Sequence, residues 1–131
     1  MQLHEHLSGL LVVLYFLLSV HVSGRQGASK TLIGMDADPS SPLNKAIRAH
    51  GNAAEYVPLL IVLFLYFNTV GAGAWVEWTV VALTLCRVLH AAGMLMSADL
   101  NRPHPLRIIG ALGTYLGGFA LGIALLLSTA S

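Results

Sequence analysis

Apolar residues in this 131-residue chain fall into four long blocks that short polar stretches separate. The blocks do not follow the strict alternation of a half-buried strand, and each approaches the ~20 helical residues that cross a bilayer core. The pattern predicts transmembrane helices at about residues 7–22, 45–68, 74–97 and 106–127. We therefore expect an all-α integral membrane four-helix bundle with up-down topology, in which residues 1–131 form one domain.

Composition supports a membrane protein rather than a soluble domain. Hydrophobic residues make up 56% of the chain and charged residues only 10%, whereas about a quarter of a soluble domain is charged. The chain has no basic run that suits nucleic acid, so we expect no nucleic-acid partner. Its single cysteine, Cys86, lies inside an apolar block, which excludes a disulfide framework and a CxxC metal pair. We expect no metal, and we expect Cys86 to pack as a small apolar side chain.

The first apolar block has two interpretations, a cleaved signal peptide or a retained helix. The residues before it, MQLHEH, contain no Lys or Arg, and the block is longer than the apolar core of a usual signal peptide. Both observations favour a retained helix.

The positions of the cations predict the orientation in the membrane. With four spans, the first and third loops lie on one side, and the Lys and Arg residues near span ends flank these two loops. The second loop and both termini have none, so the positive-inside rule places the first and third loops in the cytoplasm and both termini on the other side. These flanking cations are Arg25, Lys30, Lys45, Arg102 and Arg107.

Several polar residues lie inside the predicted spans, where each charge costs about 3 kcal/mol and needs a reason. In the second helix these polar residues recur at i, i+4, i+7 and i+8, which places them on one helix face. The third helix adds a pair at i and i+3. The fourth helix begins with Arg107. A rise of ~1.5 Å per residue places all of them in the cytoplasmic half of the bilayer. The set on the second and third helices is Arg48, Asn52, Glu55, Tyr56, Arg87 and His90.

The charges of this set predict an anion site. Glu55 can neutralise one cation, and Arg87 lies at a similar depth, whereas Arg48 and Arg107, with Arg25 as a further candidate, remain uncompensated. Arg binds carboxylates through a planar fork, so we expect an anionic ligand that enters from the cytoplasm. The alternative is structural: a buried Glu55–Arg87 pair fixes helix register while the other arginines extend to the interface.

The fourth helix carries two GxxxG spacings, Gly113 to Gly117 and Gly118 to Gly122. Small residues let helices approach closely in lipid. The spacing is compatible both with oligomerisation and with packing inside one subunit.

The polar residues resemble the motif of the MAPEG family, membrane-associated proteins of eicosanoid and glutathione metabolism. Arg48-x-x-x-Asn52-x-x-Glu55-Tyr56 followed by Arg87-x-x-His90 is similar to the family pattern, and AIRAHGNAAEYVPL is similar to its bacterial members. The resemblance implies a homotrimer, in a bacterial inner membrane, with glutathione as co-substrate bound between subunits. It implies glutathione contacts at Arg48, Asn52, Glu55, Tyr56, Arg87 and His90, a catalytic Arg107 that stabilises the thiolate, and Arg25 reaching the site from the neighbouring first helix.

Two positions depart from the family pattern of the eukaryotic synthases, in which tyrosines follow the third-helix pair and the fourth-helix arginine by one turn. This chain has Met94 and Ala111 there, so we do not expect activity on an eicosanoid. The predicted function is a glutathione-dependent transferase or peroxidase acting on small lipophilic electrophiles. The alternatives are a non-catalytic member that binds a lipid or a partner, and a small multidrug transporter, which would need an acidic residue that residues 7–22 lack.

Overall fold

The computed structural model describes residues 2–130 and contains four helices. They are α1 (Gln2–Ser29), α2 (Pro42–Val70), α3 (Ala74–Met96) and α4 (Pro105–Ala130). All four are long and apolar enough to cross a membrane, and the residues described include no strand. The predicted all-α membrane bundle is confirmed.

The first helix is longer than its apolar block predicts. It begins at Gln2 and continues through the polar stretch to Ser29, so Arg25 lies in α1 and not in the loop we expected to start near residue 23. Hydropathy detects only the apolar part of a helix, whereas backbone hydrogen bonds continue where the side chains are polar. The helix ends at Lys30, whose φ of 55° is left-handed, and the N–H of Thr31 donates to the Gln26 carbonyl at 3.2 Å, which is a Schellman cap.

The four helices form two closely packed pairs. α1 packs along α2, α3 packs along α4, and α2 and α3 join the pairs, while α4 rests mainly on α3. Phe64, Val80 and Leu83 are fully buried in the shared core. Large apolar residues such as Leu17 and Phe119 point outward, as expected for a surface that faces lipid.

Glycines of α4 allow its close approach to α3. A Cβ built on Gly110 would stand 2.6 Å from the Cys86 carbonyl oxygen, and one on Gly117 would stand 2.7 Å from the Leu83 side chain. Gly118 and Gly122 have nothing within 4 Å of such a Cβ. The first GxxxG spacing, Gly113 to Gly117, therefore serves packing within the subunit, together with Gly110, whereas the second faces open space.

One end of the bundle, which we call the polar end, carries the first and third loops. Asn44, which is buried, holds the first loop: its Oδ1 accepts from the Asp36 N–H at 2.8 Å, and its Nδ2 donates to the carbonyls of Asp36 at 2.6 Å and Asp38 at 2.8 Å. The Leu100 N–H donates to the Pro39 carbonyl at 3.0 Å. The two loops are thus tied to each other.

A local turn shapes the end of the first loop. The Asp38 carboxylate accepts from the backbone N–H of Ser40 at 2.9 Å and from the Ser40 hydroxyl at 2.8 Å. These bonds, the backbone one foremost, hold the pKa of the Asp38 carboxyl below its usual value.

Candidate functional site

Arg87 is the point at which three helices meet. Its side chain, on α3, is only 2% exposed. The guanidinium donates through Nη2 to the Asn52 Oδ1 atom on α2 and through Nη1 to the Thr114 hydroxyl on α4, at 3.3 Å. Its Cζ atom lies 5.0 Å from the centre of the Tyr56 ring. A buried charge therefore finds an amide, a hydroxyl and an aromatic face, which together stabilise it away from water.

The ion pair expected between Glu55 and Arg87 is not observed. Glu55 is exposed, and the groups that bond to the Arg87 guanidinium are Asn52 and Thr114. At ~100° per residue, Asn52 and Tyr56 lie within ~40° of each other on α2, whereas Glu55 is turned ~60° to the other side of Asn52. A neutral amide thus takes the place in which the sequence predicts a carboxylate, and Arg87 keeps its net charge.

A polar pocket of about 480 Å³ lies between the helices and the third loop, and Asn52, which accepts from Arg87, is part of its wall. Three arginines reach it, from α2, the loop and α4, and its lining includes no Asp or Glu. The pocket therefore has a surplus of positive charge that suits an anion. Its lining residues are Arg48, Asn52, His90, Met94, Leu100, Asn101, Arg102, Pro103, His104, Arg107, Ile108, Ala111 and Tyr115.

Arg107 is held in place by the third loop. Its Nη1 atom donates to the carbonyl of Leu100 at 3.1 Å and to that of Arg102 at 3.2 Å. The closeness of α3 also fixes the backbone here, since a Cβ on Gly93 would lie 2.6 Å from the Arg107 nitrogen. The carbonyl bonds engage one guanidinium nitrogen, so the charge remains directed to the pocket.

Two buried nitrogen atoms at the site have no hydrogen-bond partner. They are Nε of Arg87 and Nδ1 of His90, and both side chains are more than nine-tenths buried. A buried unsatisfied polar atom costs about 1–3 kcal/mol. Such atoms are unusual in folded proteins, and three more occur outside the site, at His4, Ser8 and Asn68.

An apolar groove of about 500 Å³ runs along the side of the bundle between α2 and α4. Tyr115 lines both the groove and the polar pocket, and its ring centre lies 6.3 Å from that of Tyr56. The two cavities therefore meet at Tyr115. The groove is lined by Tyr56, Leu59, Leu60, Leu63, Thr114, Tyr115, Gly118, Phe119, Gly122, Ile123 and Leu126.

The structure brings most of the predicted site residues together, with two exceptions, Glu55 and Arg25. Glu55 is exposed and does not line the polar pocket. Arg48, Asn52, His90 and Arg107 line the polar pocket, and Arg87 and Tyr56 support it from behind. Arg25 lies elsewhere in the subunit, beside a separate cavity that His21 and Lys45 also line. Within one subunit, Arg25 is therefore not part of the pocket.

Sequence reasoning missed Thr114 and Tyr115, which link the fourth helix to the site. They stand at i+7 and i+8 from Arg107, the same spacing that relates Glu55 and Tyr56 to Arg48. The face argument applied to the second helix would have found them in the fourth. It would not have found Asn101, Arg102 and His104, because these residues lie in a loop, where side chains do not point in directions that repeat at a regular spacing.

Comparison with known proteins agrees with the four-helix membrane fold. The sequence model of the MAPEG family matches residues 6–127. The chain is also 43% identical over 56 residues to the inner membrane protein YecN of Escherichia coli strain K12, and equally to its counterpart in strain O6:H1. Each alignment covers 43% of this chain and 38% of the relative, so it spans less than half of either protein.

Proposed function

The chain belongs to the MAPEG family, and from that premise we propose that it is a membrane-embedded glutathione-dependent transferase or peroxidase for small lipophilic electrophiles. One observation carries the proposal: a positively charged pocket and an apolar groove share a wall at Tyr115. A charged thiol peptide and a lipophilic electrophile would need such adjoining spaces.

The polar pocket suits glutathione in charge and size. Glutathione carries two carboxylates, and the guanidiniums of Arg48 and Arg102 at the pocket wall can each bind one through paired N–H groups. A volume of about 480 Å³ lies within the range of pockets for small molecules. The imidazole of His90, which lines the pocket, would contact a polar group of the peptide.

Arg107 is the residue to which we assign the chemistry. A free thiol with a pKa near about 8.5 is only a few per cent ionised at pH 7. A guanidinium beside the sulfur favours the thiolate, the species that reacts. The thiolate sulfur forms a bond to the electrophilic carbon in the groove, and the leaving group departs with the electron pair of the bond that breaks.

Assembly and orientation complete the proposal. Arg25 could contact glutathione only if a second subunit brought its α1 to the pocket, so its participation requires the homotrimer that we propose.

The relative YecN is an inner membrane protein, and we propose the same location here, with the polar end in the cytoplasm and both termini outside it. The cations of the first and third loops support this orientation.

Calorimetric titration with glutathione and a conjugation assay with a small aryl halide test the proposal. The wild-type protein in lipid nanodiscs should bind glutathione and form the thioether, and Arg107→Gln should bind but conjugate slowly. Glu77→Gln, which removes an exposed charge in the first turn of α3, at the other end of the bundle from the pocket, is the control. Binding without conjugation in the wild type would favour the non-catalytic alternative, and no binding would refute the site.

A further inference from the structure

The first loop presents three large apolar side chains that touch no core. Leu32 is 79% exposed, Ile33 is 90% exposed and Met35 is 52% exposed. We call residues 32–35 the apolar tip. The other two connections lack such a feature: the second is Gly71-Ala72-Gly73, and in the third Leu100 is packed against the core. The apolar tip is therefore specific to one place on the polar end.

The lengths of the flanking helices locate the apolar tip relative to the bilayer. The apolar block of α1 ends near Val22, yet the helix continues for seven residues to Ser29, which adds ~10 Å at 1.5 Å per residue. The loop then returns to α2, which begins at Pro42. The headgroup layer of each leaflet is roughly 5–7 Å thick, so α1 ends near the outer edge of this layer and the loop begins there.

Hydrogen bonds fix the backbone on both sides of the apolar tip. On one side, Lys30 closes the Schellman cap of α1. On the other, Asn44 fixes Asp36 and Asp38 through three hydrogen bonds. The exposed side chains are therefore presented by a defined backbone, with Gly34 supplying a left-handed turn at φ 80°.

We propose that the apolar tip inserts into the headgroup layer of the leaflet at the polar end and acts as an interfacial anchor. Apolar side chains beside a cation are the composition of segments that bind the membrane interface, and Lys30, which precedes the tip and is exposed, is placed to meet lipid phosphates. The proposal does not depend on glutathione chemistry.

The anchor has a physical connection to the polar pocket. The first loop is bonded to the third through the Pro39 carbonyl and the Leu100 N–H, and the Leu100 carbonyl accepts from Arg107. A fixed depth for the apolar tip thus also fixes the loop that positions Arg107.

Depth-dependent fluorescence quenching tests the anchor. In a Cys86→Ala background, Ile33→Cys carries an environment-sensitive dye, and the full chain is reconstituted into phosphatidylcholine–phosphatidylglycerol vesicles with nitroxide lipids. We expect blue-shifted emission and stronger quenching by a nitroxide near the headgroups than by one deep in the acyl chains, as for a side chain at the interface. Ala98→Cys, on an exposed residue of the third loop, is the control and should show weaker quenching.

Two results would overturn the anchor. Red-shifted emission at position 33, equal to that at position 98, would mean that the apolar tip stays in water. Blue-shifted emission that lipid nitroxides do not quench would mean that a second copy of the chain covers the tip instead. Circular dichroism of each labelled variant checks that the bundle is folded before either result is interpreted.

Discussion

The Nη1 atom of Arg87 donates a 3.3 Å hydrogen bond to the hydroxyl of Thr114, which in turn donates to the Gly110 carbonyl at 2.7 Å. The Thr114 hydroxyl therefore connects a buried charge on α3 to the backbone of α4. Because Nε of Arg87 already lacks a partner, the site has little capacity to lose another bond.

Replacing Thr114 by Val should destabilise the bundle, because it leaves a second guanidinium N–H without a partner. Interhelical hydrogen bonds in membranes contribute about 1–2 kcal/mol at most, and we expect a loss of that size in unfolding measured in micelles. Thr84→Val is the matched control: Thr84 is equally buried, but its hydroxyl bonds only to the Val80 carbonyl of its own helix. Equal losses in both variants would show that the Arg87 bond adds nothing.

A methyl group at Gly110 should force α4 away from α3. The added Cβ would meet the Cys86 carbonyl oxygen at 2.6 Å and the His90 nitrogen at 2.7 Å, and backbone atoms cannot move aside as a side chain can. We expect Gly110→Ala to cost about 1–3 kcal/mol of stability, as overpacked cores do.

Gly24→Ala is the control for that experiment, since nothing lies within 4 Å of its added Cβ. Alanine is favoured over glycine in a helix by up to about 1 kcal/mol, so this variant should be neutral or slightly stabilised. The close α3–α4 packing would be contradicted if Gly110→Ala unfolded at the same temperature as Gly24→Ala.

Removing the Arg107 charge should alter the pH dependence of the proposed conjugation. If the guanidinium favours the thiolate, Arg107→Gln needs a higher pH to reach half of its maximal rate, and each pH unit corresponds to about 1.4 kcal/mol of lost stabilisation. The rates are measured at saturating glutathione from pH 6 to 9. A lower plateau with an unchanged midpoint would instead assign Arg107 to binding.

The proposed sharing of the site between subunits can be tested with two inactive variants. Arg25→Gln and Arg107→Gln should each lose activity, whereas co-expression should restore it in part. In a cyclic trimer with random mixing, about a quarter of the interfaces combine both native arginines. No recovery in purified mixed trimers would show that the two residues do not act in one shared site.

The turn at Asp38 gives a prediction for pH outside the membrane. Its carboxyl pKa is depressed in the folded chain, so the carboxylate contributes stability above its unfolded pKa and loses it as the pH falls through the folded value. Ser40→Ala removes the hydroxyl bond and keeps the backbone bond, so the pKa should rise only part of the way toward 3.8. A ¹³C NMR titration of the carboxyl group measures this, and an unchanged pKa would exclude the hydroxyl as a cause.

The spans could be predicted from the sequence because burial in lipid requires continuous apolar segments. The end of α1 could not, since residues 23–29 are helical but polar. The face spacing on α2 predicts that Asn52 and Glu55 both lie near Arg87. Which of the two bonds to Arg87 depends on the rotation of α2 and α3 about their axes. That rotation cannot be predicted from the spacing of residues in a single sequence. Tyr115 was predictable, because it stands at i+8 from Arg107 and therefore on the same face of the fourth helix.

The fourth helix packs mainly on α3 and leaves the apolar groove between itself and α2. The groove therefore opens to the side of the bundle that acyl chains would cover. For the proposed reaction, an oily compound would then arrive by lateral diffusion within the leaflet, without crossing water. Its partition coefficient into lipid, more than its concentration in the surrounding solution, would set how fast it is consumed.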